Sequence, residues 1–202
     1  MKLYYAPGVC SLAPHVALKE AGLAFTLEKV DLAAKTTETG ADFKAINPKG
    51  YVPALQLDDG TVLCEGVAIQ LWIGSQAPKA TLVPAFGTSE FFKVVEWLTF
   101  ISTELHKTFG PLFNPNLKDD AKQVLKDRLC LRLDVANQMI GDGPYVMGKT
   151  FTAADCYLLT VLRWPEKVGL DLGRWPNLAK FRERLFQHPS VMAAMKAEGL
   201  LS

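Results

Sequence analysis

The pattern of hydrophobic and polar positions at the start of the chain predicts a strand, a helix and a second strand. Residues 2–6 form a short β-prone run that a proline-glycine pair stops. From Cys10 to Gly22 the apolar residues recur at near-helical spacing, and Phe25–Val30 alternates as a half-buried strand does. Three such elements within about thirty residues predict a βαβ unit.

The next part of the chain predicts a second set of short elements. A weaker helical patch covers Asp42–Ile46. Ala54–Leu57 and Thr61–Leu63 alternate on either side of an Asp-Gly pair, which is a strong hairpin signal, and Gly66–Ile73 has the pattern of an apolar helix. The predicted order of this region is therefore βαβ-α-ββ-α.

From Glu90 onward the pattern is helical throughout. Asp119–Ile140 keeps its apolar residues on one stripe, as an amphipathic helix does. Thr152 and Asp155 form a capping-box sequence in front of a helix that is apolar nearly all round. We therefore interpret Thr152 and Asp155 as structural and expect that helix to be buried.

The balance of charge changes near two prolines that follow the first apolar helix. Acidic residues outnumber lysines before this point, and every arginine lies after it. We therefore place a linker at residues 78–86, between a first domain, residues 1–77, and a helical domain, residues 87–202.

Composition limits the classes of function. The chain has 22 basic and 21 acidic residues and a net charge of +1, whereas a nucleic-acid binder would have a basic excess. Its longest uncharged stretch is too short and too interrupted by prolines for a membrane span. The four cysteines and three histidines lack metal-ligand and disulfide spacing. We expect no metal, no nucleic acid, no membrane and a cytoplasmic protein.

Cys10 is the first candidate for chemistry. It lies where a turn opens into a predicted helix, and the N–H groups and dipole of a helix start favour a thiolate. The alternative interpretation is a small buried apolar residue. Because Ser11, Leu12 and Ala13 follow, no second cysteine lies three positions on, which weakens a dithiol oxidoreductase hypothesis. His15, on the same predicted helix, is interpreted as structural.

Five separated motifs carry a resemblance to a known family. In chain order they are PGVCSLAPHVAL, INPKGYVPAL, LCEGVAIQLW, TELHK and FTAADCYL. Together they resemble the bacterial beta-class glutathione transferases along the whole chain. The resemblance implies an α/β thioredoxin-like amino-terminal domain, an all-α carboxy-terminal domain and a homodimer.

The resemblance also implies a site for the glutathione sulfur. Cys10 would lie against that sulfur and could form a mixed disulfide with it, while Tyr5 or Ser11 could supply a hydroxyl donor to the thiolate. The Val52–Pro53 bond would be cis. Val52 would then pair with the cysteinyl backbone of glutathione as an added strand does.

The two ends of glutathione would be bound by charges and by a helix start. Lys35 matches the family lysine that pairs with the glycine carboxylate. Glu65 would accept the ammonium of the γ-glutamyl group, and the backbone N–H of Gly66 would bind its carboxylate. Many relatives have a serine at the position of Gly66, and Gly66 lacks the hydroxyl that would donate to this carboxylate. From the residues alone, Glu65 would only complement a helix dipole.

The TELHK motif places further candidates on a long helix of the second domain. By resemblance, Thr103 and Glu104 would reach the γ-glutamyl group bound to the partner subunit. His106 and Lys107 would lie near the sulfur. Without the resemblance, a histidine on so aromatic a helix reads as a packed side chain.

The predicted function is that of a glutathione transferase. It would stabilise the glutathione thiolate and conjugate it to hydrophobic electrophiles for detoxification, with Phe109 and Trp164 lining an apolar pocket. Glutathione would be the co-substrate, with no metal or redox cofactor. Two alternatives stay open. One is thiol–disulfide exchange or reductive dehalogenation through a Cys10 mixed disulfide, and the other is a non-catalytic binding or adaptor protein.

Overall fold

The computed structural model describes residues 1–77 and 81–201, and the chain divides into two compact units. The first contains Met1–Pro84 and Gln187–Ser202, and the second contains Ala85–Phe186. In the described residues, no helix is long and apolar enough to cross a membrane.

The first unit contains a five-stranded sheet with the order β3-β2-β1-β4-β5. Its strands are β1 (Lys2–Tyr5), β2 (Thr26–Asp31), β3 (Thr36–Thr37), β4 (Ala54–Gln56) and β5 (Val62–Cys64). β1 pairs in parallel with β2 and antiparallel with β4, and β4 and β5 form an antiparallel hairpin. The predicted βαβ unit and hairpin are confirmed. The two-residue strand β3 is too short to leave an alternating pattern, and the sequence did not predict it.

Helices make up most of the rest of the chain, and they frame the sheet and form the second unit. They are α1 (Leu12–Ala21), α2 (Phe43–Ile46), α3 (Gly66–Gln76), α4 (Ser89–Phe100), α5 (Lys107–Leu112), α6 (Asp119–Ile140), α7 (Ala153–Val161), α8 (Pro176–Phe186) and α9 (Pro189–Ala197). A π-helical segment, Ile101–His106, joins α4 to α5.

Helix α1 ends where the sequence predicts and begins two residues later. Gly22 terminates it in the left-handed region at φ 64°, which a residue without Cβ adopts at little cost. Its first intrahelical bond runs from the His15 N–H to the Ser11 carbonyl. Cys10 therefore lies in the turn before α1 and not in the helix itself.

The last residues of the chain belong to the first unit, whereas the sequence assigned all of residues 87–202 to the helical domain. Helix α9 packs on α1 and buries Val191, Ala194 and Met195. An apolar stripe predicts such a helix but does not say which surface it covers. Residues 78–80 of the predicted linker lie outside the described residues.

The second unit follows its sequence pattern closely. The buried stripe of α6 contains Leu129, Leu133, Ala136 and Ile140. Helix α7 is buried along its whole length, as its continuous apolar pattern predicts.

Candidate active site

The first unit presents Cys10 at the mouth of α1. Its carbonyl accepts the N–H of Ala13, and its half-buried thiol donates to the carbonyl oxygen of Val52, with Sγ and O 3.3 Å apart. The Val52–Pro53 bond is cis, as the resemblance implies. Within residues 1–77 and 81–201, the Val52 N–H has no hydrogen-bond partner.

The structure corrects the expectation that Ser11 supplies a hydroxyl to the thiolate. Ser11 is fully buried. Its Oγ donates to the carbonyl of Ala6 at 3.1 Å and accepts the N–H of Ala6 at 3.2 Å. Because the hydroxyl proton is directed at a backbone carbonyl, Ser11 closes the loop before α1 and is not placed to stabilise a thiolate.

Tyr5 remains a protonated donor, and its ring lies against His15 of α1. The two ring centroids are 6.4 Å apart in an edge-on arrangement. Burial raises the pKa of the Tyr5 hydroxyl, and the charges of Glu38 and Glu198 raise it further. The phenol therefore keeps its proton at neutral pH.

Lys35 is held at the turn that precedes Val52. Its Nζ donates to the carbonyl of Gly50 at 2.8 Å, and its backbone is left-handed at φ 59°. An ammonium has three donors, so this contact leaves others for an anion. The carboxylate-binding role that the resemblance implies for Lys35 stays a prediction.

Glu65 occupies a strained position at the start of α3. Its backbone has φ 71°, a region that costs a non-glycine residue about 1–3 kcal/mol and that clusters at functional sites. Its exposed carboxylate pairs with Lys49, and it makes no side-chain cap of α3. The first N–H groups of α3, beginning at Gly66, therefore have no cap from Glu65. A Cβ added at Gly66 would meet only Pro53 Cγ, at 4.0 Å.

In the second unit, the TELHK motif lies largely in the π-helical segment Ile101–His106. Such wide turns are rare in proteins overall, and those that occur are often found at functional sites. Thr103 is exposed, and its hydroxyl donates to the Thr99 carbonyl at 2.9 Å. Glu104 contacts Arg128 and Arg132 of α6, at 3.4 and 3.2 Å. In this chain the Glu104 carboxylate is thus balanced by two cations.

His106 is a neutral imidazole held by Tyr157. Its Nδ1 lies 2.7 Å from the Tyr157 hydroxyl. Burial, and secondarily the exposed charge of Lys107, lower the pKa of His106 to about 4. At neutral pH the ring can therefore donate through one nitrogen and accept through the other.

Trp164 is the centre of an aromatic cluster in this unit. Its ring lies 5.1 Å from His106, 5.6 Å from Phe109 and 5.9 Å from Phe113 between centroids. Phe109 is 0% exposed and Trp164 is 4% exposed, whereas Phe113 is 45% exposed. Phe109 therefore packs behind Trp164 and does not line an open pocket, which corrects that prediction. The accessible aromatic edge belongs to Phe113.

The predicted capping box is confirmed at the start of α7. One oxygen of the buried Asp155 carboxylate accepts the N–H and the hydroxyl of Thr152, at 2.7 and 2.8 Å. The other accepts the N–H of Val146 at 2.8 Å, a tie that the sequence did not predict. Burial raises the pKa of Asp155 to about 7, and the hydrogen bonds oppose that rise.

Comparison with known proteins assigns the chain to a family. The family model described as the glutathione S-transferase N-terminal domain matches residues 9–76, and that of the C-terminal domain matches residues 100–189. The glutathione S-transferase GstA of Escherichia coli O157:H7 is 46% identical over 200 residues, which cover 99% of this chain and all of that protein. This chain belongs to the glutathione S-transferase family.

Solved structures place this glutathione S-transferase among the bacterial beta-class enzymes. The beta-class glutathione S-transferase of Sphingomonas chungbukensis has a TM-score of 0.95 and 46% identity, with both chains fully covered. A sphingomonad glutathione S-transferase complexed with glutathione has a TM-score of 0.95 and 43% identity, also with full coverage. The predicted family and the predicted fold class, a thioredoxin-like domain followed by a helical domain, are confirmed.

Three residues of this glutathione S-transferase were missed by sequence reasoning. Lys49 pairs with Glu65, Tyr157 binds His106, and Glu198 contacts the loop before Cys10. Lys49 and Tyr157 lie inside quoted motifs, which is the signal that could have found them. Glu198 lies outside every motif and had no such signal.

Proposed function

We propose that this glutathione S-transferase binds glutathione on its first unit, keeps the thiol as a thiolate beside Cys10 and conjugates it to hydrophobic electrophiles. The observation that carries this assignment is the position of Cys10, whose sulfur lies in the turn before α1 beside the Val52 carbonyl. The N–H groups and dipole of a helix start favour an anionic sulfur there. The physiological role would be detoxification in the cytoplasm.

The backbone of glutathione pairs with Val52 in this proposal. An extended peptide adds to an unpaired backbone edge through main-chain hydrogen bonds. Within residues 1–77 and 81–201 the Val52 N–H has no hydrogen-bond partner, and the Val52 carbonyl accepts a weak hydrogen bond from the Cys10 thiol. Both groups are suited to the cysteinyl N–H and carbonyl of the substrate.

The γ-glutamyl end carries an ammonium and a carboxylate on one carbon, and the start of α3 offers both complements. The carboxylate of Glu65 accepts hydrogen bonds from the ammonium. The N–H of Gly66 and the helix dipole bind the carboxylate, and Lys49 adds a cation beside them. The glycine carboxylate at the other end pairs with Lys35.

The helical unit supplies the remaining proposed roles. His106, neutral at physiological pH, donates a hydrogen bond to the thiolate, and Lys107 adds positive charge. Thr103 and Glu104 bind the γ-glutamyl group held by the partner subunit. Phe113 provides the accessible apolar surface for the electrophile, and the buried Trp164 packs against it.

The free energy needed to stabilise the thiolate is small compared with what the available hydrogen-bond donors can contribute. Lowering a thiol pKa by about two units corresponds to about 2.7 kcal/mol of preference for the anion. Hydrogen bonds to charged groups contribute about 1.5–3 kcal/mol each. Two donors aimed at the sulfur therefore suffice. The thiolate attacks the electrophilic carbon, its lone pair forms the new C–S bond, and the displaced group leaves with the electrons of the broken bond. No metal or redox cofactor takes part.

Monothiol exchange through Cys10 is the second candidate, because the proposed glutathione sulfur lies beside the Cys10 sulfur. Replacing Cys10 by serine separates the two hypotheses. Conjugation uses only the sulfur of glutathione, so Cys10→Ser should retain appreciable turnover of an aryl halide. Exchange predicts complete loss of activity on a mixed-disulfide substrate. Retention on a glutathione column without turnover of either substrate by the wild type would support an adaptor.

We further propose a homodimer formed through α6. This helix carries a second apolar stripe, opposite its buried one, of Val124, Leu131, Val135 and Met139. A row of exposed apolar residues along one helix is typical of protein interfaces.

A further inference from the structure

A buried hydroxyl in the second unit contacts one ring nitrogen of His106. Tyr157 belongs to α7, a helix that is buried along its whole length, and the residue is 4% exposed. The Tyr157 hydroxyl lies 2.7 Å from Nδ1 of His106, and the two rings meet edge-on with their centroids 5.9 Å apart. Because His106 is the proposed hydrogen-bond donor to the thiolate, this contact bears on the reaction.

A neutral imidazole carries one proton, and the nitrogen that carries it determines what the ring can do. Burial lowers the pKa of His106 to about 4, so the ring is neutral at physiological pH. With the proton on Nε2, the ring donates through Nε2 and accepts through Nδ1, and with the proton on Nδ1 these roles are exchanged. Only the protonated nitrogen can donate to a thiolate.

The distance between the two side chains indicates that Tyr157 is the donor. In protein hydrogen bonds, O–H donors lie about 2.7–2.8 Å from an oxygen acceptor, whereas N–H donors lie about 2.9–3.0 Å from one. The separation of 2.7 Å between the Tyr157 oxygen and Nδ1 of His106 agrees with an O–H donor. Nδ1 then accepts, and the ring proton lies on Nε2.

The other ring nitrogen of His106 is left for a further partner. Within residues 1–77 and 81–201, Nε2 has no hydrogen-bond partner, and it reaches solvent from a half-buried ring. Trp164 packs against this ring with the centroids 5.1 Å apart, which limits its rotation. The nitrogen that can meet a ligand is therefore the nitrogen that the Tyr157 hydrogen bond keeps protonated.

We propose that Tyr157 is a positioning residue for the thiolate site: its hydroxyl donates to Nδ1 of His106, keeps the ring proton on Nε2 and thereby presents an N–H donor to the glutathione sulfur. Tyr157 acts through His106 and does not itself touch the sulfur. The inference rests on the proposed role of His106 as a thiolate donor. It gives the buried helix α7 a part in the reaction, because α7 fixes the position of the hydroxyl.

The direct test is the position of the ring proton in the wild-type protein. Nitrogen-15 NMR distinguishes a protonated ring nitrogen from an unprotonated one, and the chain has three histidines to assign. The signals of His106 are those absent from His106→Ala. The expected result at neutral pH is a protonated Nε2 and an unprotonated Nδ1. A protonated Nδ1 overturns the inference, and this measurement decides should Tyr157→Phe not fold.

Kinetics test whether the hydroxyl matters for the reaction. Tyr157→Phe keeps the ring and removes the hydroxyl, so kcat/KM for conjugation of glutathione to an aryl halide should fall about five- to tenfold, as expected for one lost hydrogen bond. The control, Thr160→Val, removes another buried hydroxyl of α7, which donates to the Cys156 carbonyl at 2.8 Å. It should stay within about twofold of the wild type. Equal losses in the two variants, or no loss in Tyr157→Phe, overturn the inference.

A double-mutant cycle tests whether Tyr157 acts through His106. In a His106→Ala background, Tyr157→Phe should lower kcat/KM no further, because the nitrogen on which the hydroxyl acts is missing. A further loss as large as that in the wild-type background overturns the inference.

Failure of the proposed function is seen separately. A wild type that does not conjugate glutathione to an aryl halide contradicts that function and this inference with it. Wild-type turnover that Tyr157→Phe leaves unchanged contradicts only the role of Tyr157.

Discussion

At the scale of single residues, the proposed site depends on which polar hydrogens are already used within the chain. The Ser11 hydroxyl donates to the Ala6 carbonyl, so it is not available to donate to a thiolate. Cys10 donates only weakly, through sulfur, to the Val52 carbonyl. These are differences between neighbouring residues of the same motif, and the sequence alone does not distinguish them. The motif located the site, and side-chain geometry divided the roles within it.

The missing serine at Gly66 leads to a gain-of-affinity prediction. Gly66→Ser adds a hydroxyl donor at the start of α3, and the nearest atom to the added Cβ would be Pro53 Cγ at 4.0 Å. A further hydrogen bond to the γ-glutamyl carboxylate should lower KM for glutathione about two- to tenfold in steady-state kinetics. Gly66→Ala is the matched control, because it adds the Cβ without the hydroxyl. Equal KM values for the two variants would contradict the assignment of the γ-glutamyl site.

His106 gives a prediction for pH. Its pKa is about 4 in the folded protein, against about 6.5 in an unfolded chain, so the unfolded state binds a proton first on acidification. The stability due to neutral His106 is thus present above pH 6.5 and lost as the pH falls towards 4. By linkage, this loss should reach about 2–3 kcal/mol in the free energy of unfolding.

His106→Gln tests this pH dependence by urea unfolding. The variant lacks the titrating group, so its deficit in unfolding free energy relative to the wild type should be smaller near pH 4.5 than near pH 7.5. A deficit that does not change with pH would show that His106 is not held neutral by burial.

At the scale of secondary-structure elements, the regular helices and the hairpin could be predicted, and the irregular elements could not. The helical spacing of apolar residues predicted α1 and α6, and alternation around an Asp-Gly turn predicted the β4–β5 hairpin. The π-helical segment Ile101–His106 was not predicted, because its sequence pattern does not differ from that of an ordinary helix.

The capping box of α7 is predicted to be the most sensitive helix start in the second unit. Asp155→Ala removes three hydrogen bonds to a buried carboxylate, leaving the N–H of Thr152 and of Val146 unpaired. Unfolding in urea should show a loss of about 2 kcal/mol or more, at or above the upper end for a helix cap. Asp119→Ala, in the exposed first turn of α6, should change stability by less than about 0.5 kcal/mol. Similar losses in the two variants would contradict the structural role of Asp155.

At the scale of the whole molecule, the sequence predicted two domains but not the return of the chain to the first. A stripe of apolar residues predicts helix α9, but it does not indicate which apolar surface the helix packs against. The partner is fixed by contacts between residues far apart in the chain, such as Glu198 with Gly8. A single sequence contains no signal for contacts between residues so far apart in the chain.

The proposed dimer makes a prediction at this scale. Leu131 is 62% exposed in the centre of the outer stripe of α6, so Leu131→Glu would bury a charge in the interface. Light scattering should give a dimer for the wild type and a monomer, or a strongly weakened dimer, for the variant. Gln187→Glu adds the same charge at an exposed position outside α6 and should remain dimeric. A monomeric wild type would contradict the proposal.

The central claim is that glutathione binds on the first unit with its sulfur beside Cys10. A crystal structure of the complex with glutathione tests it most directly. The predicted result is a ligand sulfur within about 4 Å of Cys10 Sγ, with the cysteinyl backbone hydrogen-bonded to Val52 and the γ-glutamyl group at Glu65. A tripeptide bound away from the start of α1, or one whose sulfur points away from Cys10, would contradict it.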